Sequence, residues 1–265
     1  MPELLTVVAV ALVAGCATGL GALPTLYTEQ VSHRVYDGAL GFAAGVMVGA
    51  AVFALLVPGL EFGTPWEVVA GLGLGAGFLL VANALLPHLH LRFRGPHLEG
   101  TAALESDGST ATQPDDDLRR ALLVGSAVTI HNVPEGLAVG IAFASGETGL
   151  GLAIATAIAI QNVPDGFAMA VPAAQAGVSK PKTILYTTLS GGVPEPIAAA
   201  VGFTLVAVVT GLFPVAAGFA AGAMIAVVFR ELVPSSHGHG YADTATATFV
   251  AGFALMLVVD TVLAV

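Results

Sequence analysis

Two short runs of residues able to do chemistry repeat thirty residues apart: His131-Asn132-Val133-Pro134-Glu135-Gly136 and Gln161-Asn162-Val163-Pro164-Asp165-Gly166. At helical spacing, positions i and i+4 put His131 with Glu135, and Gln161 with Asp165, on one face, with Asn132 and Asn162 three residues before each acid. Each run therefore aims a carboxylate and two neutral polar groups in one direction. The prolines have no N–H, so the carbonyls of Ile130 and Ile160 lose their helical partners, and the following glycines loosen the turn further. A third run, Gly191-Gly192-Val193-Pro194-Glu195-Pro196, adds another acid in a similarly interrupted segment. One imidazole with carboxylates and amide oxygens suits Zn(II), Fe(II), Mn(II), Co(II) or Cd(II) better than Cu(I), and the imidazole argues against a dedicated Ca or Mg cage. The single cysteine, Cys16, leaves no multi-thiolate site and no internal disulfide.

What holds these runs is a membrane. Of 265 residues, 56% are apolar and 10% charged, and the mean hydropathy is +0.88; too few charges remain to solvate an ordinary globule. Apolar stretches are expected to span at about Leu4–Thr25, Ala39–Gly59, Val68–Pro87, Ala121–Ala144, Gly149–Ala173, Ile184–Leu212, Pro214–Phe229 and Thr244–Val265. The seventh is short unless it runs on through Arg230 and Glu231. Leu12-Val13-Ala14-Gly15-Cys16 has the form of a lipoprotein cleavage box, but only Glu3 precedes the apolar run, and an uncleaved first helix is expected. The reading is an all-α integral membrane protein of eight helices, one domain over residues 1–265, with a mobile cytosolic loop at about 88–120.

Orientation follows from the cations. Arg34, Arg92, Arg94, Arg119, Arg120, Lys180, Lys182 and Arg230 all fall on one side of such a chain, the cytosolic one, which puts both termini outside. The same side carries His33, His88, His90, His97, His237 and His239, potential acceptors at an inner mouth, and leaves His131 alone in mid-span. Eight Lys plus Arg against eighteen Asp plus Glu cannot make a basic face, so nucleic acid is excluded as a partner. Glycines at four-residue spacing, Gly41, Gly45 and Gly49, then Gly71 and Gly75, mark close helix packing in lipid.

Consecutive spans run in opposite directions, so the two repeats meet across a pseudo-two-fold axis in the membrane plane, as in inverted-repeat transporters with a midplane site. Each ionised acid at that depth costs at least about 2.5 kcal/mol, so protonation or a bound cation must compensate the set. Three functions share these residues: a carrier for a divalent ion, a metal-selective channel, and an intramembrane metallohydrolase with Glu135 as general base. The last lacks a completed His-Glu-x-x-His pattern.

The motif pair, the eight-span plan with outside termini and the His-bearing loop between the third and fourth spans together resemble the ZIP family of divalent metal transporters, in its prokaryotic GufA-like branch. The resemblance implies transport of Zn foremost, or Fe, Mn, Co or Cd, into the cytoplasm, with no catalysis and no cofactor. It assigns His131, Glu135, Gln161, Asp165 and Glu195 to one metal position, and Asn132 and Asn162 with bridging Glu135 and Asp165 to a second. It further implies an elevator, in which spans 1, 4, 5 and 6 carry the metal past spans 2, 3, 7 and 8, with Met47, Glu231 and His237 along the path or at its exit. Two departures stand out: Asp165 occupies a position usually Glu, and Glu231-Leu232-Val233-Pro234-Ser235 lacks an acid often found after the proline. The partners implied are divalent ions and the lipid of the cell membrane, with a homodimer left open.

Overall fold

The computed structural model of the protein describes residues 3–27, 31–90, 131–175, 177–209 and 211–263, the side chains of 85–90 and 263 excepted. All regular elements among the described residues are helical. In chain order they are α1 (Leu4–Leu26), α2 (His33–Phe62), α3 (Pro65–His90), α4 (131–144), α5 (Thr148–Gln175), α6 (Lys180–Val208), α7 (Phe213–Ser236) and α8 (Ala242–Leu263). Among the described residues seven of these, all but α4, are long and apolar enough to cross a membrane. Of the fourth expected span only the part from residue 131 is described. Helix α3 continues to His90, past the expected start of the loop, and the rest of that loop, with His97, lies outside the described residues.

Local chemistry sets several ends. Ser32 caps α2 by accepting from the Val35 N–H at 3.4 Å, which starts the helix six residues earlier than apolar composition alone suggests. Thr64 and Glu67 form a reciprocal capping box at α3: the Thr64 N–H donates to Glu67 Oε2 at 2.7 Å, and the Glu67 N–H to Thr64 Oγ1 at 3.4 Å. The connections after α4 and α5 turn at Gly146 (φ 91°) and Gly177 (φ 77°), where a side chain would be strained. Helix α7 runs through Arg230 and Glu231 to Ser236, which gives the short seventh stretch its full length.

Besides the break in α6 at Val193, three helices depart from regular α winding. Helix α1 tightens into a 3-10 helix over Ala17–Leu26, much longer than the usual three or four residues. Helices α2 and α7 widen into π turns over Ala50–Leu56 and Val228–Leu232. Each π segment ends two residues before a proline, Pro58 or Pro234, whose ring cannot donate to the carbonyl four residues back.

Glycine faces decide the packing. Gly41 and Gly45 of α2 lie against the backbone of Ala245 and Phe249 in α8, and Gly71 and Gly75 of α3 against Val215 and Phe219 in α7. Helices α1, α4, α5 and α6 interlock separately: Gly21 and Gly166 bring α1 and α5 together, Gly15 and Gly191 join α1 to α6, and Gly136 and Gly140 seat α4 on α6. Helix α5 also packs against α2 and α8. Of the seven spans described in full it is the most enclosed, with 72% of its most apolar window buried against 17% for α8, so its polar motif is held inside protein and away from lipid.

Candidate metal centre

The polar motif side chains other than His131 are buried. Asn132, Glu135, Gln161, Asn162 and Glu195 are at most 1% exposed and Asp165 is 7% exposed. Helix α4 brings Glu135 under the electrostatic influence of Asp165 from α5 and Glu195 from α6, with the Gln161 amide beside it; His131 acts in turn on Asp165. Three helices thus bring their acids within electrostatic reach of one another.

The asparagines tie this region to its neighbours. Asn132 Nδ2 donates to the Ser190 carbonyl at 2.7 Å. Asn162 Nδ2 donates to the Ala14 carbonyl and to Glu195 Oε1, both at 2.8 Å. The 3-10 winding of α1 and the break of α6 at Val193, between Gly192 and Pro194, set where these carbonyls and Glu195 lie. Several buried polar atoms have no hydrogen-bond partner in the protein: both oxygens of Glu135, both amide atoms of Gln161, Asn162 Oδ1, Asp165 Oδ1 and Glu195 Oε2. The orphaned oxygens among them are costly in a native interior and fit a cation. Among the described residues, no three His, Cys, Asp or Glu side chains close on a common point.

The outer members of the predicted set fall elsewhere. Met47 is buried in the α2 core. Glu231 sits in the π segment of α7, where its Oε1 lies 2.9 Å from His131 Nε2 and accepts from Asn83 Nδ2 of α3 at 2.9 Å. The structure pairs Glu231 with these two residues, while His237 Nδ1 lies 3.0 Å from Val233 O and from Ser236 Oγ. Asn83 is absent from the sequence-derived set; a lone amide in an otherwise apolar helix was its only signal. At the end where Lys180 Nζ donates to Leu26 O at 2.8 Å, His33 and His239 stack with ring centroids 4.3 Å apart, and the fully buried Asp37 meets His239 Nδ1 at 2.6 Å. The sequence placed these histidines at one mouth; Asp37 was not singled out.

The family model described as ZIP Zinc transporter matches residues 86–260. Zinc transporter GufA of Myxococcus xanthus is 37% identical over 258 residues, covering 94% of this chain and 95% of the relative. Zinc transporter ZIPB of Bordetella bronchiseptica is 37% identical over 254 residues, 93% of this chain and 78% of that protein. The human protein named Zinc transporter ZIP11 is 34% identical, with 92% of this chain and 93% of the relative covered.

Proposed function

This chain belongs to the ZIP zinc transporter family, a family of multi-pass membrane metal-ion transporters and not of enzymes, and from that premise we propose that it carries Zn(II) foremost, or Fe, Mn, Co or Cd, across the cell membrane into the cytoplasm. Its single domain of eight spans, with both termini outside and an inverted pseudo-symmetry, holds the ion at mid-depth. His131, Glu135, Gln161, Asp165 and Glu195 form the principal position. Asn132 and Asn162, with Glu135 and Asp165 between the two, form a second. The observation that carries this reading is the set of buried acceptors on α4, α5 and α6 that lack partners in the protein, on helices already interlocked with one another.

A divalent ion entering there offsets the mutual repulsion of Glu135, Asp165 and Glu195 and draws them in, at a depth where uncompensated charge is expensive. The movement that follows is an elevator: α1, α4, α5 and α6 travel as a unit past α2, α3, α7 and α8. Two features support it. The glycine contacts stay inside one group or the other, as α2–α8, α3–α7 and, at Gly59, α2 with α3 and α7 in the second, and of α1, α5 and α6 it is α5 that makes most of the contact with the second group.

Purified protein in liposomes tests the reading. Wild type is expected to accumulate zinc or cadmium with saturation, without consuming any bond, and His131→Ala to lose accumulation while inserting normally. Undiminished accumulation by that variant would remove His131 from the site; non-saturating flux would favour a channel.

A further inference from the structure

Behind the acids, between α4 and the exposed face of α6, lies a groove of about 700 Å³. Val133 and Leu137 of α4 and Leu189, Val193, Ile197 and Val201 of α6 line it, and every side chain bordering it is apolar. The two helices run in parallel there, since Gly136 meets Glu195 and Gly140 meets Ala199. Glu195 is buried on the inner side of α6, whereas Leu189, Val193, Ile197 and Val201 repeat at four-residue spacing on its exposed side.

The length of the groove and the charge beyond its end identify what fills it. From Leu189 to Val201 is about 18 Å of helix, comparable to the roughly 15 Å of hydrocarbon in one leaflet of a bilayer. Toward the start of α6 the same face continues, at three- and four-residue spacing, through Tyr186 to Lys182, both exposed. Lys182 precedes Leu189 by about 10 Å of helix, which places an aromatic and a cation at the membrane–water boundary where such side chains collect. Lys180 Nζ is engaged by the Leu26 carbonyl at 2.8 Å, while Lys182 has no acid paired with it among the described residues.

We infer that this groove is a binding site for an anionic phospholipid of the leaflet on the Lys182 side. One acyl chain lies along α6 from Leu189 to Val201, and the phosphate group meets the Lys182 ammonium. A cation at that level attracts anionic lipid, and the apolar lining takes the chain with no polar group to desolvate. The site is built by α4 and α6 alone, so it stands whether or not the acids hold metal.

The full-length protein purified in maltoside detergent tests this, with added palmitoyl-oleoyl phosphatidylglycerol compared against the phosphatidylcholine of the same chains. The melting temperature is expected to rise by about 5 °C with the first and by much less with the second, and native mass spectrometry to find phosphatidylglycerol retained. Ile197→Trp, which fills the groove, should abolish both effects, and Lys182→Gln should level the two lipids. If Ile197→Trp folds poorly, Leu189→Trp at another exposed position carries the same test. An equal rise with either lipid in wild type overturns the headgroup contact; an undiminished rise in a folded groove-filling variant, or no rise in wild type, overturns the site. A wild-type dimer that Ile197→Trp dissociates makes a second copy the occupant and overturns the inference as well.

Discussion

The motif on α4 and its counterpart on α5 share one spacing and are tied into the protein differently. On α5, Asn162 reaches Ala14 of α1 and Glu195 of α6, and Gly166 lies under the backbone of Thr18; every one of these contacts stays inside the group α1, α4, α5 and α6. On α4, Asn132 and Gly136 also engage α6, at Ser190 and Glu195, but His131 reaches out to Glu231 of α7. One half of the site is anchored to the body it would travel with, and the other half is in touch with what it would travel past. A repeat in sequence need not be a repeat in duty: replacing His131 by Gln161 in the second copy removes the group able to make an outward charged contact.

The largest test of this contrast is at the acids. Glu135→Ala is expected to lower metal uptake at least about 100-fold, since even indirect partners of a metal site carry about 10- to 100-fold. Asp165→Ala should fall short of that, because the Asp165 side chain is one methylene shorter and reaches less far toward a shared ion. Equal losses in parallel uptake assays would erase the distinction between the halves.

Next come the two glycines. Gly166→Ala and Gly136→Ala each drive a methyl group into a neighbouring backbone, at Thr18 and Glu195, which cannot yield as a side chain can; a loss of about 3 kcal/mol is expected for each. Gly73→Ala, which would meet nothing within 4 Å, should leave the melting temperature in detergent unchanged. A fall there as large as at Gly166 would contradict the packing described.

The smallest effects separate the asparagines. Asn162→Ala strips two hydrogen bonds, to Ala14 and to Glu195, and should lower stability by about 1.2 kcal/mol, twice the average for an interhelical hydrogen bond in a membrane. Asn132→Ala loses a bond to a backbone carbonyl and should fall nearer about 0.6 kcal/mol, the average for interhelical hydrogen bonds in a membrane. The reverse order in thermal unfolding would show that the α5 half is not the more firmly anchored one.

Much of the architecture was legible because lipid imposes a simple rule on composition. The apolar stretches foretold seven spans with small shifts at their ends, the fourth stretch lying largely outside the described residues, and the four-residue glycine spacing of Gly41 and Gly45, and of Gly71 and Gly75, foretold close packing without naming the partners Ala245, Phe249, Val215 and Phe219. The paired motifs identified the acids that converge. What stayed hidden were contacts between residues far apart in the chain: Asn83 with Glu231 across 148 positions, and Asp37 with His239 across 202.

The sequence alone determined that this chain is helical and membrane-embedded, and which faces of α4, α5 and α6 carry polar groups, because helical periodicity and the cost of bare charge in hydrocarbon act locally and leave their mark on residue order. Only the tertiary structure decided that Asn162 serves Glu195, that Thr18 lies across Gly166, and that His131 meets Glu231 beside Asn83. Those pairings depend on how helices dock and on where a 3-10 or π turn rotates one face relative to the next, and no periodicity within a single helix records the rotation of its neighbour.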